Sequence, residues 1–405
     1  MNKYFLLAAS ALALASCSSD DFLGENSGNG QNAANSVINF GGEAGKITRG
    51  IQTGSTAATT LKKHFVVFGD KTNTTAGTTQ AVYDHYDVKW IGDAAEKKTQ
   101  TNQHGWEYVG CTPNKNSNLD ADATQSIKYW DYSASEYNFA AFSLGALTDE
   151  TDPYKNQLKY NDATSTIAAG NVKISQIESK ASKYTVEGAV GDITKLYISD
   201  RITAIPNGTT PDIDYNKPVQ FNFRALKTLV RMGIFETVNG YSVKDVKFYK
   251  SNNTNDGTPS LYATDKNIPA GNGKATITFG EDKTKGEYNK ALVEWVSSTN
   301  EQDITFGSLT LKGAELKEDN TTSQYLGRTS ADASLPDKYN EVIPSAKIGA
   351  LTLKVDYTLV STDGSKEEIK VTGATAVVPA EYTKWQPNYS YTYIFKISDK
   401  TNGNT

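Results

Sequence analysis

The chain has no dense block of Lys or Arg, although it contains 41 of these residues against 46 Asp and Glu. Its formal net charge is −5 at pH 7. Proteins that bind nucleic acid neutralise phosphates with clustered cations, and the sequence offers no such cluster. We therefore expect no nucleic acid among the partners of this protein.

Recognisable catalytic motifs are also missing. There is no G-x-S-x-G elbow, and GNGKAT at 271–276 lacks the glycine that a phosphate-binding loop carries five residues before its Gly-Lys pair. The histidines His64, His85 and His104 are too widely spaced for a standard zinc pattern. The sequence therefore predicts that the protein is not an enzyme and that it has no metal site and no cofactor.

Helical periodicity is scarce as well. No long segment repeats apolar residues at the 3.6-residue spacing of an amphipathic helix, and the nearest candidate, Ala225 to Met232, has neighbours that favour a bent strand. The apolar runs are short and are separated by Gly, Pro, Asn and Asp. This pattern is typical of β-sandwiches, and we expect an all-β protein with little helix.

The chain does contain enough apolar material for packed cores, with 38% hydrophobic and 10% aromatic residues. Strict alternation is clearest in LTLKVDYTLV at 351–360, which predicts a half-buried antiparallel strand. The same alternation near the C-terminus predicts a closing strand. Its apolar face consists of Tyr389, Tyr391, Tyr393, Phe395 and Ile397.

The N-terminus has the features of an export signal. Lys3 precedes an apolar run of about a dozen residues, shorter than the roughly 20 that a membrane-spanning helix needs. The segment LASC at 14–17 fits the lipobox that precedes lipoprotein signal cleavage. We expect residues 1–16 to be removed and Cys17 to carry acyl chains such as palmitate, which anchor a protein to a membrane. A lipidated Cys17 would leave Cys111 without a partner for an internal disulfide.

A tether and a candidate cleavage site follow. Residues 24–35, GENSGNGQNAAN, predict a flexible tether because they are rich in Gly and Asn and have no apolar periodicity. The apolar patch VINF at 37–40 predicts a short strand, and the loop after it contains Arg49 followed by Gly50. We interpret residues 17–49 as a lipidated tether with a propeptide strand.

The rest of the chain is long enough for two sandwiches. A stretch rich in Pro and turn-forming residues, AIPNGTTPDIDYNKP at 204–218, separates two strand-rich halves. This division predicts an N-terminal β-sandwich domain at 50–210 and a C-terminal β-sandwich domain at 211–405.

Several segments, taken in order, resemble the fimbrillin family, whose members are subunits of the type V pili of Bacteroidetes. The resemblance covers most of the chain, and many members carry a histidine where this chain has Arg224. It rests on the lipobox, on ITRG at 47–50, and on YWDYSASEYNFAAFSL at 129–144, VQFNFRALKTLVRMGI at 219–234 and VVPAEYTKWQPNYSYTYIFKI at 377–397. The resemblance and the β composition together imply a fold of two transthyretin-like β-sandwich domains in tandem after a lipoprotein signal and propeptide.

The resemblance implies a maturation step at the cell surface. The precursor would reach the outer membrane as a lipoprotein, and a protease with arginine specificity would cut between Arg49 and Gly50, with Lys46 as a competing position. The strand removed in this way would include Val37, Ile38 and Phe40.

The resemblance further implies a structural subunit of a fimbria that supports adhesion. A donor strand from another pilus subunit would fill the vacated groove, and that partner would be a copy of the same chain or an anchor or tip subunit. The strand from Tyr389 to Ile397 is the candidate donor.

The main alternative is a monomeric surface lipoprotein that binds glycan through exposed aromatic residues. Trp90, Trp106 and Trp130 could line such a face because aromatic rings stack on the apolar faces of sugars. Aromatic residues of sandwiches more often pack in cores and cross-strand pairs. The two functions predict different behaviour after protease treatment, since only the pilus subunit should form multimers.

Overall fold

The computed structural model describes residues 37–45, 51–92, 105–110, 125–145, 158–160, 172–264, 268–313 and 323–399. Only the backbone is described for residue 85 and for residues 158–160. None of the helices in these segments is long and apolar enough to cross a membrane.

Strands make up nearly all of the regular structure, which confirms the predicted all-β class. The helices are short, namely α1 Gly54–Thr60 and α2 Val190–Ile193, with 3-10 turns at Ser330–Asp332 and Ala380–Tyr382. In chain order the strands are β1 Phe40–Gly45, β2 Ile51–Gln52, β3 His64–Asn73, β4 Thr79–Trp90, β5 Trp106–Glu107, β6 Ala134–Ser143, β7 Leu158–Tyr160, β8 Val172–Glu178, β9 Lys183–Ala189, β10 Tyr197–Ser199, β11 Ile202–Ile205, β12 Ile213–Asp214, β13 Val219–Ala225, β14 Thr228–Glu236, β15 Tyr241–Phe248, β16 Ser260–Ala263, β17 Pro269–Phe279, β18 Ala291–Glu301, β19 Ile304–Thr305, β20 Leu309–Thr310, β21 Leu335–Pro336, β22 Asn340–Val342, β23 Leu351–Ser361, β24 Glu368–Val378 and β25 Ser390–Ile397.

The largest sheet has the strand order β2-β1-β13-β10-β6-β3-β4-β5, and β11 and β12 join it through β6. Consecutive side chains of β3 point to opposite faces of this sheet. Val66 and Phe68 belong to one apolar core, whereas Phe65 and Val67 belong to a second, aromatic core. The central strands of the large sheet are therefore covered on both faces.

The first of these cores lies between the large sheet and a five-stranded sheet of order β18-β17-β9-β8-β7. Strands β17 and β18 come from the second half of the chain, and Ile277 of β17 pairs with Tyr184 of β9. Strand β13 also pairs within the large sheet. Strand pairing thus crosses the position between residues 210 and 211, and the division into two domains at that position stays a prediction.

The remaining long strands form a second layered unit. One sheet has the order β22-β14-β25, and the other has the order β15-β23-β16-β19 with β24 paired to β23. Side chains from both sheets share one core. The alternation predicted for residues 351–360 is confirmed, because this core contains Leu351, Leu353, Val355, Tyr357 and Leu359.

A bend connects the two parts of the fold. β13 ends at Ala225 and β14 begins at Thr228, which confirms the bent strand predicted for residues 225–232. Each of these consecutive strands has a parallel neighbour, since β1 runs beside β13 and β25 runs beside β14. The first and last strands of the described chain are therefore held by adjoining elements.

Candidate functional site: the groove under the N-terminal strand

Residues 37–45 lie in a groove of the large sheet, and the surface that they cover is called the groove from here on. β1 runs parallel to β13, with Phe40 opposite Val219 and Ala44 opposite Phe223. On its other side β1 pairs with β2 over only two residues. Parallel neighbours require a long connection, and here the intervening chain builds the rest of the sheet.

The apolar contacts of this segment centre on Phe40, which is 1% exposed. The centroid of its ring lies 5.0 Å from that of Tyr83, 5.4 Å from Tyr108, 5.7 Å from Phe221 and 5.9 Å from Phe139. Aromatic pairs at these separations add stabilisation beyond that of buried area alone. Phe40 is therefore the anchor of the strand.

The residues predicted to belong to the removable strand lie together in the groove. Val37, Ile38 and Phe40 are all buried, and so is Ala44 on the same strand. Ile38, Phe40 and Ala44 are part of the aromatic core of the large sheet. Departure of this segment would open a row of apolar pockets in that core.

The stretch before β1 is held through its backbone. The Ile38 amide donates to the Lys128 carbonyl at 2.9 Å, and the Tyr108 hydroxyl donates to the Ile38 carbonyl at 2.8 Å. The Val219 amide donates to the Asn39 carbonyl at 3.0 Å. None of these bonds uses a side chain of the bound segment, so another extended strand could make the same set. An empty groove would leave Tyr108, Lys128 and Val219 with unsatisfied polar groups.

Burial controls the protonation of two groups at the groove. It raises the pKa of Tyr108 to about 12, so the hydroxyl remains a hydrogen-bond donor at neutral pH. Burial also raises the pKa of Glu43 on β1 above its ordinary value of 4.5, and a hydrogen bond with Gln220 opposes this shift. The charged form of Glu43 is therefore destabilised while β1 lies in the groove.

β1 is intrinsically a weak strand. Three of its six residues are glycine, at positions 41, 42 and 45. Glycine loses much conformational freedom on folding and has no side chain to pack, so it weakens the interior of a strand. Retention of β1 therefore depends on the buried side chains of the segment, Phe40 above all, and on the backbone hydrogen bonds.

The residues that line the groove were not predicted from the sequence. Tyr108 lies outside any run of alternating residues, and Gln220 is an ordinary polar position in the strand VQFNF. The available signal is the Gly-Gly pair after Phe40, because glycine in a strand often marks the close approach of another group. That signal does not say which group approaches.

The predicted lipidation and cleavage positions, Cys17, Arg49 and Gly50, lie outside the described residues. β1 ends at Gly45 and β2 begins at Ile51, and these two residues are paired.

The candidate donor or closing strand is β25, which runs parallel to β14 and forms an edge of its three-stranded sheet. Tyr393, Phe395 and Ile397 are buried in the core of the second unit, and Tyr391 packs against that core. Tyr389, just before the strand, is half-buried. The strand pairs within its own chain, and its role as a donor stays a prediction.

The tryptophans considered for a sugar-binding face lie largely in the interior. Trp106 and Trp130 are buried in the aromatic core, and Trp90 is half-buried with its ring centroid 5.2 Å from that of Trp106. A polar cleft of 560 Å³ adjoins β6 and β11, and its lining includes the ion pair of Arg201 with Glu281 at 3.1 Å. Neither feature forms an exposed aromatic platform.

Of the histidines considered for a metal site, His64 is the one whose side chain the structure describes. His64 Nε2 lies 2.9 Å from Asp87 Oδ1, and both residues are buried. His104 and the side chain of His85 lie outside the described part of the chain. Within that part, no group of three or more His, Cys, Asp or Glu side chains is placed to hold a metal ion.

The fold and the groove define an all-β protein whose N-terminal strand occupies a groove that is lined by aromatic rings and backbone hydrogen-bonding groups. The chain matches no known protein-family model and no curated protein. It is similar to the crystal structure of a fimbrial protein from Bacteroides vulgatus ATCC 8482, with 17% identity, a TM-score of 0.44, and coverage of 90% of this chain and 95% of that chain.

Two further crystal structures are similar over most of their length. A candidate cell adhesion protein from Parabacteroides distasonis ATCC 8503 is 11% identical, with a TM-score of 0.36 and coverage of 91% of this chain and 89% of that chain. A candidate cell adhesion protein from Bacteroides uniformis ATCC 8492 is 14% identical, with a TM-score of 0.29 and coverage of 92% and 95%.

Proposed function

We propose that this chain is a structural subunit of a cell-surface pilus that supports adhesion. In this proposal the chain is exported as a lipoprotein through Cys17, reaches the outer membrane, and is cut between Arg49 and Gly50 by an arginine-specific protease. The segment that contains β1 then leaves, and a strand from a second copy of the chain enters the groove.

The observation that carries the proposal is the way in which residues 37–45 are bound. Phe40, smaller buried side chains and a set of backbone hydrogen bonds hold a glycine-rich strand in the groove. The segment precedes a candidate cleavage site by only a few residues. A strand that is buried in a core, weak in itself and close in sequence to a cleavage site is suited to replacement.

Departure of the strand would leave an unpaired strand edge and exposed apolar surface in the groove. β13 would lose its partner over five registered positions, from Val219 to Phe223. The pocket of Phe40 would expose four aromatic rings, and burying apolar surface stabilises by about 25 cal/mol per Å². An unpaired strand edge with adjacent apolar pockets favours the addition of another strand.

Before cleavage, the covalent connection protects the groove. Residues 37–45 compete for it within their own molecule at high effective concentration, so a strand from another molecule is at a disadvantage. Cleavage removes that advantage and makes the exchange irreversible. The proposed protease therefore controls when subunits assemble.

Limited digestion of the folded, unlipidated precursor with an arginine-specific protease tests the proposal. We expect cleavage at Arg49, shown by N-terminal mass analysis, together with a ladder of multimers on an unboiled gel. The matched control is Arg49→Gln, which should stay uncut at this position and monomeric under the same conditions. A chain that is cut at Arg49 and remains strictly monomeric would contradict self-assembly.

A further inference from the structure

One side chain on the outer face of β13 lies directly over β1. Gly41 and Gln220 are registered partners in the parallel pair, so their side-chain positions share a face of the sheet. A Cβ atom added to Gly41 would lie 1.8 Å from Gln220 Oε1 and 2.5 Å from its Cδ. A side chain at position 41 is therefore incompatible with the observed position of the Gln220 amide.

The amide of Gln220 is the group that covers Gly41 on this face of the sheet. The amide oxygen is buried over Gly41, without a hydrogen-bond partner among the described residues. Gln220 thus fills the space that a side chain at position 41 of β1 would need.

We propose that Gln220 is the specificity-determining residue of the groove and that it favours an occupant with glycine at position 41. This inference rests on the proposed function, since it concerns the choice between the chain's own strand and an entering one. The chain's own segment FGGEAG has glycine at this position. The strand SYTYIFKI at 390–397 contains no glycine.

The contact between Gln220 and Gly41 is called the latch from here on. In this proposal it keeps β1 in the groove of the uncut precursor. A strand that carries a side chain at the position of Gly41 can enter only if the Gln220 side chain moves away from β1. This is possible because the clashing atoms are at the end of a flexible side chain. The latch consequently delays exchange and does not forbid it.

A double-mutant cycle between positions 41 and 220 tests the latch in the intact, uncut precursor. Hydrogen exchange of the amides at 40–45, followed by mass spectrometry, reports how often β1 opens. We expect Gly41→Ala to speed this exchange about tenfold or more, because it overpacks the contact with Gln220. Adding Gln220→Ala to the same chain should remove most of that increase.

Gly45→Ala is the matched control. Gly45 lies on the same outer face, and the nearest atoms to its added Cβ are 3.4–3.8 Å away and belong to Phe223, Asn388 and Arg224. Any change that it causes should be the same with and without Gln220. If Gly41→Ala speeds hydrogen exchange at 40–45 equally in the presence and absence of Gln220, the proposed role of Gln220 is wrong.

The outcome for the latch is separable from the outcome for the pilus proposal. Exchange in the uncut precursor depends only on how β1 sits in the groove, whereas assembly is read from multimers after cleavage at Arg49. If the cycle shows coupling between positions 41 and 220 and no multimers form, the proposed role of Gln220 is supported and the assembly proposal fails. Additive effects in a chain that still forms multimers would reject the latch alone.

Discussion

The first and last strands of the described chain, β1 and β25, solve the same structural problem in different ways. Each runs parallel to one of two consecutive strands, β13 and β14. β1 buries one aromatic side chain in an adjoining core, and β25 buries two. β1 has six residues, three of them glycine, and five registered pairs with β13. β25 has eight residues without glycine and eight registered pairs with β14.

This difference separates a short, glycine-rich strand from a longer one that is paired along its whole length. β25 pairs with β14 at all eight of its residues and buries Tyr393, Phe395 and Ile397. The segment that contains β1 has fewer pairs and a single buried aromatic ring, so loss of that ring should release it. Breaking matched contacts in the two strands tests this distinction.

The largest effect should come from the aromatic anchors. Phe40 and Phe395 are each 1% exposed, and Phe→Ala changes at buried positions cost about 3–5 kcal/mol. Phe40→Ala should release residues 37–45 while the rest of the protein stays folded, whereas Phe395→Ala should destabilise the second unit and leave β1 in place. Hydrogen exchange resolved by segment measures both. Unchanged exchange of residues 37–45 in Phe40→Ala would show that the strand has another anchor.

A smaller effect is expected from two buried tyrosine hydroxyls that play equivalent roles. Tyr108 donates to the Ile38 carbonyl and accepts from the Lys128 amide, whereas Tyr393 donates to the Tyr382 carbonyl and accepts from Trp385 Nε1. Each Tyr→Phe change leaves buried polar groups unpaired, at a cost of about 1–3 kcal/mol.

The location of the loss is the diagnostic result for this pair. Tyr108→Phe should increase exchange in residues 37–45 only, and Tyr393→Phe should lower the denaturant midpoint of the second unit without changing that segment. The opposite outcome is that Tyr108→Phe lowers the stability of the whole chain and leaves residues 37–45 protected from hydrogen exchange. The hydroxyl would then be a general core contact and not a specific contact that retains β1.

The smallest effect concerns Glu43 and pH. Burial raises the pKa of this carboxyl above 4.5 while β1 is bound, so the bound state holds the proton more tightly than the released state. The contribution of Glu43 to the retention of β1 is therefore fully present below the pKa that this carboxyl has in the released state. It is lost as the pH rises through the higher pKa that Glu43 has in the bound state. Exchange of β1 amides, corrected for the intrinsic pH dependence, should show this trend.

Glu43→Gln is the control for the pH effect, since glutamine cannot titrate. The difference between wild type and Glu43→Gln should grow with pH across the acid range. Parallel pH profiles for the two chains would mean that Glu43 does not govern retention of the strand.

The sequence predicts the elements that depend on local alternation. The buried face of β23 and the bend near Leu226 follow from the spacing of neighbouring apolar residues. The strand predicted at residues 37–40 lies instead at Phe40–Gly45, preceded by an isolated bridge at Val37. The apolar face assigned to residues 389–397 likewise consists of side chains that are buried or half-buried. Alternation is a property of adjacent positions, so it can be detected without knowledge of the partner strand.

Features that depend on distant partners could not be predicted in this way. The pairing of β17 with β9 joins strands about 90 positions apart, and no periodicity within either strand specifies it. The contact between Gln220 and Gly41 likewise requires the register of a parallel pair, and Tyr108 reaches Ile38 across 70 positions. The sequence could indicate a removable strand but not the groups that hold it.

The most direct test of the account is the composition of the multimers that form after cleavage at Arg49. Native mass spectrometry of the assembled species determines whether the fragment that contains residues 37–45 is still bound. The account predicts multimers in which internal subunits lack this fragment, because a strand from a neighbouring copy has taken its place. Multimers that retain one fragment for every subunit would show that the groove never opened, and this would contradict strand exchange.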